Sequence, residues 1–241
     1  MSENSGYDLK PIHCALLDIY VEFRRFCEEH ELIHYVDYGT LLGAVRHKGF
    51  IPWDDDFDVS MPRHDYEKLL ALSSQLPPHL KWRSIETEPG YGLLFGKVQD
   101  TRSDLLEQVQ KQSNLALGQG LFIDVFPLDG IPSSSIGMFY WRIRRALMRR
   151  FCTLERTQKW FASWSTDTCK YVGMANHEAS SPARFRHLRS SWGNPVEMPF
   201  EDTTVLAPCQ CAEVLTVNYG DWKRLPPEDS RVPSHQRLIC T

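Results

Sequence analysis

Apolar positions recur at helical spacing near the start of the chain. Ile12, Leu16, Ile19, Phe23 and Phe26 form the stripe, and Asp18, Glu22, Arg24 and Arg25 fall off it. The pattern predicts an amphipathic helix over about residues 9–30, with Pro11 tolerated in its first turn. "LIHYVDYG" reads as a short strand closed by Gly39, "TLLGAVRHKG" as a compact helical turn, and "FDVSM" as a second strand ended by Pro62. "RHDYEKLLALSSQL" is helical until the prolines at 77 and 78 stop it. "KWRSIE", "LLFGKVQ" and "GLFIDVFPLDG" read as further strands, the last ended by Pro127 and Gly130. From about 136 to 164 the spacing predicts one long helix whose apolar stripe is Tyr140, Ile143, Leu147, Phe151 and Leu154. "CAEVLTVNYGDW" gives a last short helix running into a turn, and about 180–195 reads as a surface loop.

Strands and helices interleave without repeats, which predicts a single α/β (α+β) domain spanning 1–241. Its core is expected at about 10–130 and a variable helical segment at about 133–195. At 241 residues and 42% hydrophobic, the chain is long and apolar enough to bury a sizeable core. A net charge of −4 gives no global reason to expect nucleic acid, so any cationic site must be local. Seven scattered cysteines without a C-x-x-C pair argue against a disulfide framework or zinc cage and for reduced thiols. No secretory signal and no apolar run of membrane-spanning length is visible, so a cytoplasmic protein is expected.

One stretch departs from this ordinary patterning. "YGTLLGAVRHKGFIPWDDDFDVSM" places Asp54, Asp55, Asp56 and Asp58 in five consecutive positions among apolar and aromatic residues. Carboxylates at that density repel one another and resist burial unless a cation joins them. In an extended segment Asp54, Asp56 and Asp58 share one face, with Asp55, Phe57 and Val59 on the other. Grouped oxygen ligands suit Mg2+ or Mn2+. A solvated acidic turn conflicts with the flanking Phe50, Ile51, Trp53 and Phe57. An EF-hand loop fails because Val59 stands where glycine is needed and Asp65 where glutamate is needed. The D-x-D metal grip of nucleotide-sugar glycosyltransferases stays open on periodicity alone.

The Gly39-Thr40 pair upstream of Asp56-Phe57-Asp58 is similar to the polymerase-β type of nucleotidyltransferase fold. The wider stretch, continued through "FGKVQDTRS", "GLFIDVFPLDGIP", "FEDTTVLAP" and "YGDWKRLPPE", resembles the LicD family. That family includes bacterial phosphocholine transferases and has fukutin-type ribitol-phosphate transferases among its relatives. The match covers most of about 10–230 and is weakest at about 133–195, where acceptor recognition would vary. The resemblance implies a mixed sheet flanked by helices. It also implies transfer of a phospho-alcohol from a CDP-linked donor to a sugar hydroxyl of a glycan or glycolipid, with release of CMP.

On this reading Asp56 and Asp58 match the paired metal ligands, Asp124 is the third carboxylate as ligand or base, and Asp54 assists as an outer ligand. Gly39 and Thr40 let donor phosphates approach the backbone, and Arg46 and Lys97 are candidate phosphate clamps. Asp55 is expected to be structural and Asp129 to cap a turn. Trp53, Tyr219 and Trp222 could cage a quaternary ammonium. A glycosyltransferase, or a metal-binding module without catalysis, are the alternatives. Finally, residues from Trp141 to Lys159 carry seven basic side chains against Glu155. That helix could touch a membrane-bound acceptor, or it could simply be a surface helix with a solvated basic face.

Overall fold

The computed structural model describes residues 7–166, 168–174, 186–233 and 237–238. The first amphipathic stripe folds as helix α1 (Lys10–Glu29), with Ile12, Leu16, Ile19, Phe23 and Phe26 all buried. Strand β1 (Tyr35–Val36) leads into α2 (Tyr38–His47), then β2 (Asp58–Pro62) and α3 (Arg63–Leu72). After a 3-10 turn come β3 (Leu80–Arg83), β4 (Gly96–Asp100), α4 (Ser103–Ser113), β5 (Leu115–Ala116) and the long β6 (Leu121–Ile131). Helices α5 (Ser135–Phe151) and α6 (Leu154–Ala162) follow, then β7 (Tyr171–Gly173), β8 (His187–Leu188) and α7 (Arg189–Trp192). The hairpin β9 (Val196–Phe200) and β10 (Thr203–Ala207), helix α8 (Cys211–Tyr219) and β11 (Arg237–Leu238), which pairs with β5, complete the order.

The central sheet runs β1-β2-β6-β4-β3, and β7 and β8 extend from β6. Among the described residues only β2 and β6 pair in parallel, and every other neighbour is antiparallel. This mixed sheet, backed by α1 and flanked by the other helices, is the α+β nucleotidyltransferase-like arrangement. Its core contains Phe23, Phe57, Val59, Val98, Ile123 and Val125, each fully buried.

Several expectations need correction. Pro127 does not end β6, which continues to Ile131. The β4 ladder stops at Val125 and the β7 ladder begins at Asp129. Pro127 therefore sits where that edge of β6 has no partner, the one place where a missing N–H costs nothing. Asp129 does not cap a turn. It lies in the strand, fully buried, and accepts from Arg63 Nε and Nη2 at 2.7 and 2.9 Å and from Ser165 Oγ at 2.9 Å. The predicted 136–164 helix breaks at Cys152, where the Thr153 side chain caps α6 by accepting from the Arg156 N–H. Part of the expected 180–195 loop, residues 180–185, lies outside the described residues. Beyond it the chain forms β8 and α7, and Trp192 is buried. The six cysteines among the described residues are free thiols. Among those residues no helix is long and apolar enough to cross a membrane.

Candidate active site

The site begins with the parallel β2–β6 ladder. Asp58 opens β2 and stands in register with Asp124 of β6, and the Asp124 N–H donates to Phe57 O at 2.9 Å. Neighbouring strands lie about 4.8 Å apart, so two carboxylates separated by 66 positions of sequence meet at one sheet edge. Asp58 is buried. Its carboxyl is held well above the ordinary range, first by burial and then by the charges of Asp56, Asp124, Asp54 and Asp37. The segment holding Asp54 to Asp56 forms no regular strand, so the alternation of faces does not apply there. Asp55 and Asp56 both line a hollow of about 380 Å3 that also contains Asp124, Lys97, Gly118 and Gly120.

Helix α2 holds this edge in place. The Thr40 hydroxyl is buried and accepts the Asp58 N–H at 2.8 Å. It positions the carboxylate-bearing strand. Gly39 stands in the first turn of α2, and a Cβ built there would lie 2.3 Å from Asp54 Oδ2. The missing side chain is the space that the Asp54 carboxylate occupies. Just before it, Tyr38 has φ +43, a left-handed conformation that costs a non-glycine residue energy. Its N–H donates to Asp37 Oδ1 at 2.7 Å.

Asp37 itself was not singled out from sequence. Buried at the N-cap of α2, it accepts from Tyr38 N, from Ser60 Oγ at 2.7 Å and from Asn218 Nδ2 at 3.2 Å. Burial outweighs these bonds and pushes its carboxyl up to about 6. His13 of α1 was missed as well. Its Nε2 donates to the Asp54 carbonyl at 2.7 Å, and its ring stacks on Phe50 at 4.1 Å. Burial lowers the His13 pKa, against the pull of the Asp54 carbonyl and of the Glu201, Asp55 and Asp8 charges. A pin of this kind between α1 and the acidic segment has no local sequence signal.

Lys97 and Arg46, both expected to clamp phosphate, lie in different places. Lys97 of β4 faces Asp124 across the ladder, with Nζ 2.5 Å from Oδ1 and 3.5 Å from the Phe122 ring centre. Arg46, at the end of α2, lines a second hollow of about 960 Å3 with Trp53, Tyr219, Trp222 and Arg231. Its Nη1 donates to Trp222 O at 3.4 Å. Tyr219 links the two regions. The residue is 40% exposed, but packing around its hydroxyl and the charges of Asp58, Asp37, Asp54 and Asp56 hold that group above its usual range. The three aromatics proposed as an ammonium cage do converge here. Arg231 already lies 5.3 Å over the Trp53 ring, however, and the lining of the hollow carries Arg46, Arg224 and Arg231 against Asp221 and Glu228.

The chain matches the LicD/FKTN/FKRP nucleotidyltransferase domain over residues 31–184. The chain belongs to the LicD family. The match spans Arg46, the aspartate cluster, Lys97 and Asp124, whereas His13, Asn218 and Tyr219 lie outside it. Along nearly its whole length the chain is also similar to the lipopolysaccharide cholinephosphotransferase LicD of Haemophilus influenzae. That relative is 25% identical over 259 aligned positions, which cover 94% of this chain and 96% of the relative. Shorter similarities reach uncharacterized proteins of Rickettsia typhi (37% over 67 residues, 24% of this chain and 22% of the relative) and Rickettsia prowazekii (46% over 54 residues, 20% of each). With this family and this fold, the protein is a LicD-type phosphotransferase.

For a LicD-type enzyme the donor set can be tested for a metal. Among the described residues no three His, Cys, Asp or Glu side chains converge on one point as they stand. The chemistry nonetheless fits a hard divalent ion. Asp58 is buried under the combined charge of Asp56, Asp124 and Asp54, an arrangement that a cation would relieve.

Proposed function

We propose that the chain moves a phospho-alcohol, in the first place phosphocholine, from a CDP-linked donor to a sugar hydroxyl of a glycan or glycolipid and releases CMP. The observation that carries this reading is the Asp58–Asp124 register, with Asp56 at the rim of the hollow that also holds Lys97. Phosphoryl transfer needs an aligned nucleophile, neutralised phosphate oxygens and a stabilised leaving group. Mg2+ or Mn2+ held by Asp56, Asp58 and Asp124, with Asp54 outside them, would supply charge neutralisation when bound. Arg46, Trp53 and Trp222 would hold the nucleotide in the larger hollow, on the Tyr219 side of the carboxylates. The acceptor hydroxyl would enter from the smaller hollow and give its proton to the Asp124 carboxylate as its oxygen attacks the distal phosphorus. The anhydride P–O bond would break, and CMP would leave with the bonding electrons. Lys97, bonded to Asp124, would hold that carboxylate in its orientation.

Phosphorus NMR of the protein with CDP-choline, CDP-ribitol or CDP-glycerol plus Mg2+ tests the donor class through slow hydrolysis to CMP. Calorimetric titration of Mg2+ or Mn2+ in the presence of CMP tests the ligand set, because Asp56→Asn and Asp58→Asn should each weaken binding. Wild-type metal affinity in both variants would remove the assignment. Release of a nucleoside diphosphate from a UDP-sugar, with CDP donors untouched, would favour the D-x-D glycosyltransferase instead.

A further inference from the structure

Helix α5 is amphipathic in the reverse sense from a packed surface helix. Its inward face carries Met138, Trp141 and Arg145, which are buried beside Trp160 and Phe161 of α6. Its outward face carries Ile136, Phe139, Tyr140, Ile143, Leu147 and Phe151, exposed by 73, 61, 66, 45, 51 and 75%. At about 100° per residue these six fall within an arc of about 120°, opposite the buried face. With about 150–250 Å2 per aromatic side chain, they expose on the order of 600 Å2. That reaches the upper end of the patches found on monomeric proteins, about 300–600 Å2. Scattered surface hydrophobics do not arrange themselves this way.

The borders of the stripe are cationic. Arg142 and Arg144 flank it on either side, Arg150 lies within the arc near its C-terminal end with its guanidinium 5.3 Å over the Phe151 ring, and Arg156 and Lys159 continue the charge along exposed positions of α6. Glu155 is the one acid between Trp141 and Lys159. We infer that α5 is an interfacial helix that docks on an anionic lipid surface, its aromatic stripe in the acyl boundary and its arginines at the headgroup phosphates. A second copy of the chain is the poorer occupant. Two such faces brought together would set arginine against arginine, with Glu155 alone to offset them. A surface with fixed negative charge complements both the stripe and its borders.

The position of α5 is also informative. It follows the far end of β6, seven strand residues beyond Asp124, or about 23 Å at the usual rise. This inference concerns a surface separate from the catalytic edge, and its test needs neither donor nor acceptor.

The experiment is co-sedimentation of the full chain with vesicles of phosphatidylcholine alone or with one third phosphatidylglycerol. Binding to the anionic vesicles is expected, with little to the neutral ones, and it should fall at least tenfold between low salt and 0.5 M salt. Phe139→Ser combined with Phe151→Ser should lower vesicle affinity by about tenfold or more, and those exposed changes should leave the unfolding midpoint in place. Arg142→Gln with Arg144→Gln and Arg150→Gln should remove the preference for anionic lipid. Lys81→Gln with Lys111→Gln, at exposed positions elsewhere, should change neither. Three results would overturn the inference: no anionic vesicle binding at low salt, equal binding by the wild type and the Phe139/Phe151 variant, or a sedimentation-velocity dimer that the same two substitutions dissolve. Failure here would leave CDP-donor turnover by the free enzyme untouched.

Discussion

Asp37 offers a clean test of the electrostatics around the site, through the substitution Asp37→Asn. The carboxyl is buried and pushed up from 3.8 to about 6, with desolvation as the largest cause. An acid whose folded pKa is raised binds its proton more tightly in the folded state, so stability falls as pH rises from the unfolded pKa to the folded one. The fall is complete above about pH 6. Two pKa units at 1.36 kcal/mol each correspond to about 3 kcal/mol, with no discount for solvent because the group is fully buried. Asparagine is nearly isosteric and can preserve the network. Its oxygen can still accept from Tyr38 N and Asn218 Nδ2, and its amide can donate to Ser60 Oγ, which now donates to Asp37. Urea unfolding followed by tryptophan fluorescence in EDTA, at half-unit steps from pH 4 to pH 7.5, gives the difference between wild type and variant. That difference should shift by about 2–2.5 kcal/mol in favour of the variant between pH 4 and pH 7.5, most of it below about pH 6, because part of the full 3 kcal/mol is already lost at pH 4. Parallel stability curves across the whole range would refute a raised, desolvated Asp37.

The same geometry sets the outcome of other substitutions. Gly39→Ala would gain up to about 1 kcal/mol in an unobstructed helix, but here the new Cβ meets Asp54 Oδ2 at 2.3 Å. The variant should fold with unchanged circular dichroism and lose at least about tenfold in turnover of CDP-choline, and normal turnover would show that Asp54 need not stay where it is. Asp129→Ala should destabilise by about 3–5 kcal/mol in denaturant titrations, because it strands the buried Arg63 guanidinium. A loss under about 1 kcal/mol would mean that water reaches Arg63. Arg46→Ala should raise the CDP-choline dissociation constant about tenfold with a smaller loss of saturated rate, while Lys97→Ala, acting through Asp124, should cut that rate about a hundredfold with donor affinity nearly kept. Calorimetry beside saturated turnover reads both variants, and the reverse pattern would place the donor in the Lys97 hollow.

Helix α1 and the strands carrying Asp58 and Asp124 were legible because their signals are local: a 3.6-residue stripe in one case, and short β-branched and aromatic runs in the others. Helix α4 was not, since only Val109 and Ser113 are buried along eleven mostly polar residues. The β9–β10 hairpin was hidden for a related reason, because Pro199 and a largely exposed β9 weaken the strand pattern. The carboxylates of the site could be named from the acidic run and the family resemblance, but their supports could not. Asp37 meets Asn218 across 181 positions, and His13 reaches the Asp54 carbonyl across 41. Such contacts exist only once the sheet has formed. Four residues of the expected stripe, Tyr140, Ile143, Leu147 and Phe151, do share a face of α5, while Leu154 falls in α6, and periodicity says nothing about which face turns inward. Trp141 and Arg145, packed beside Trp160 and Phe161, decide that.

The changeover at Pro127 gives β6 two lives. Its first half is stitched to β2 and β4 and fixes Asp124, whereas its last residues are stitched to β7. Whatever the chain inserts between β6 and β7 therefore hangs from a seam downstream of the catalytic register. Such a segment can be exchanged, lengthened or re-addressed without moving either aspartate. For a phosphotransferase this separates two inheritable traits. On the proposed reading the chemistry would be carried by the first half of one strand, and the choice of surface on which it acts by the segment that hangs from the second half.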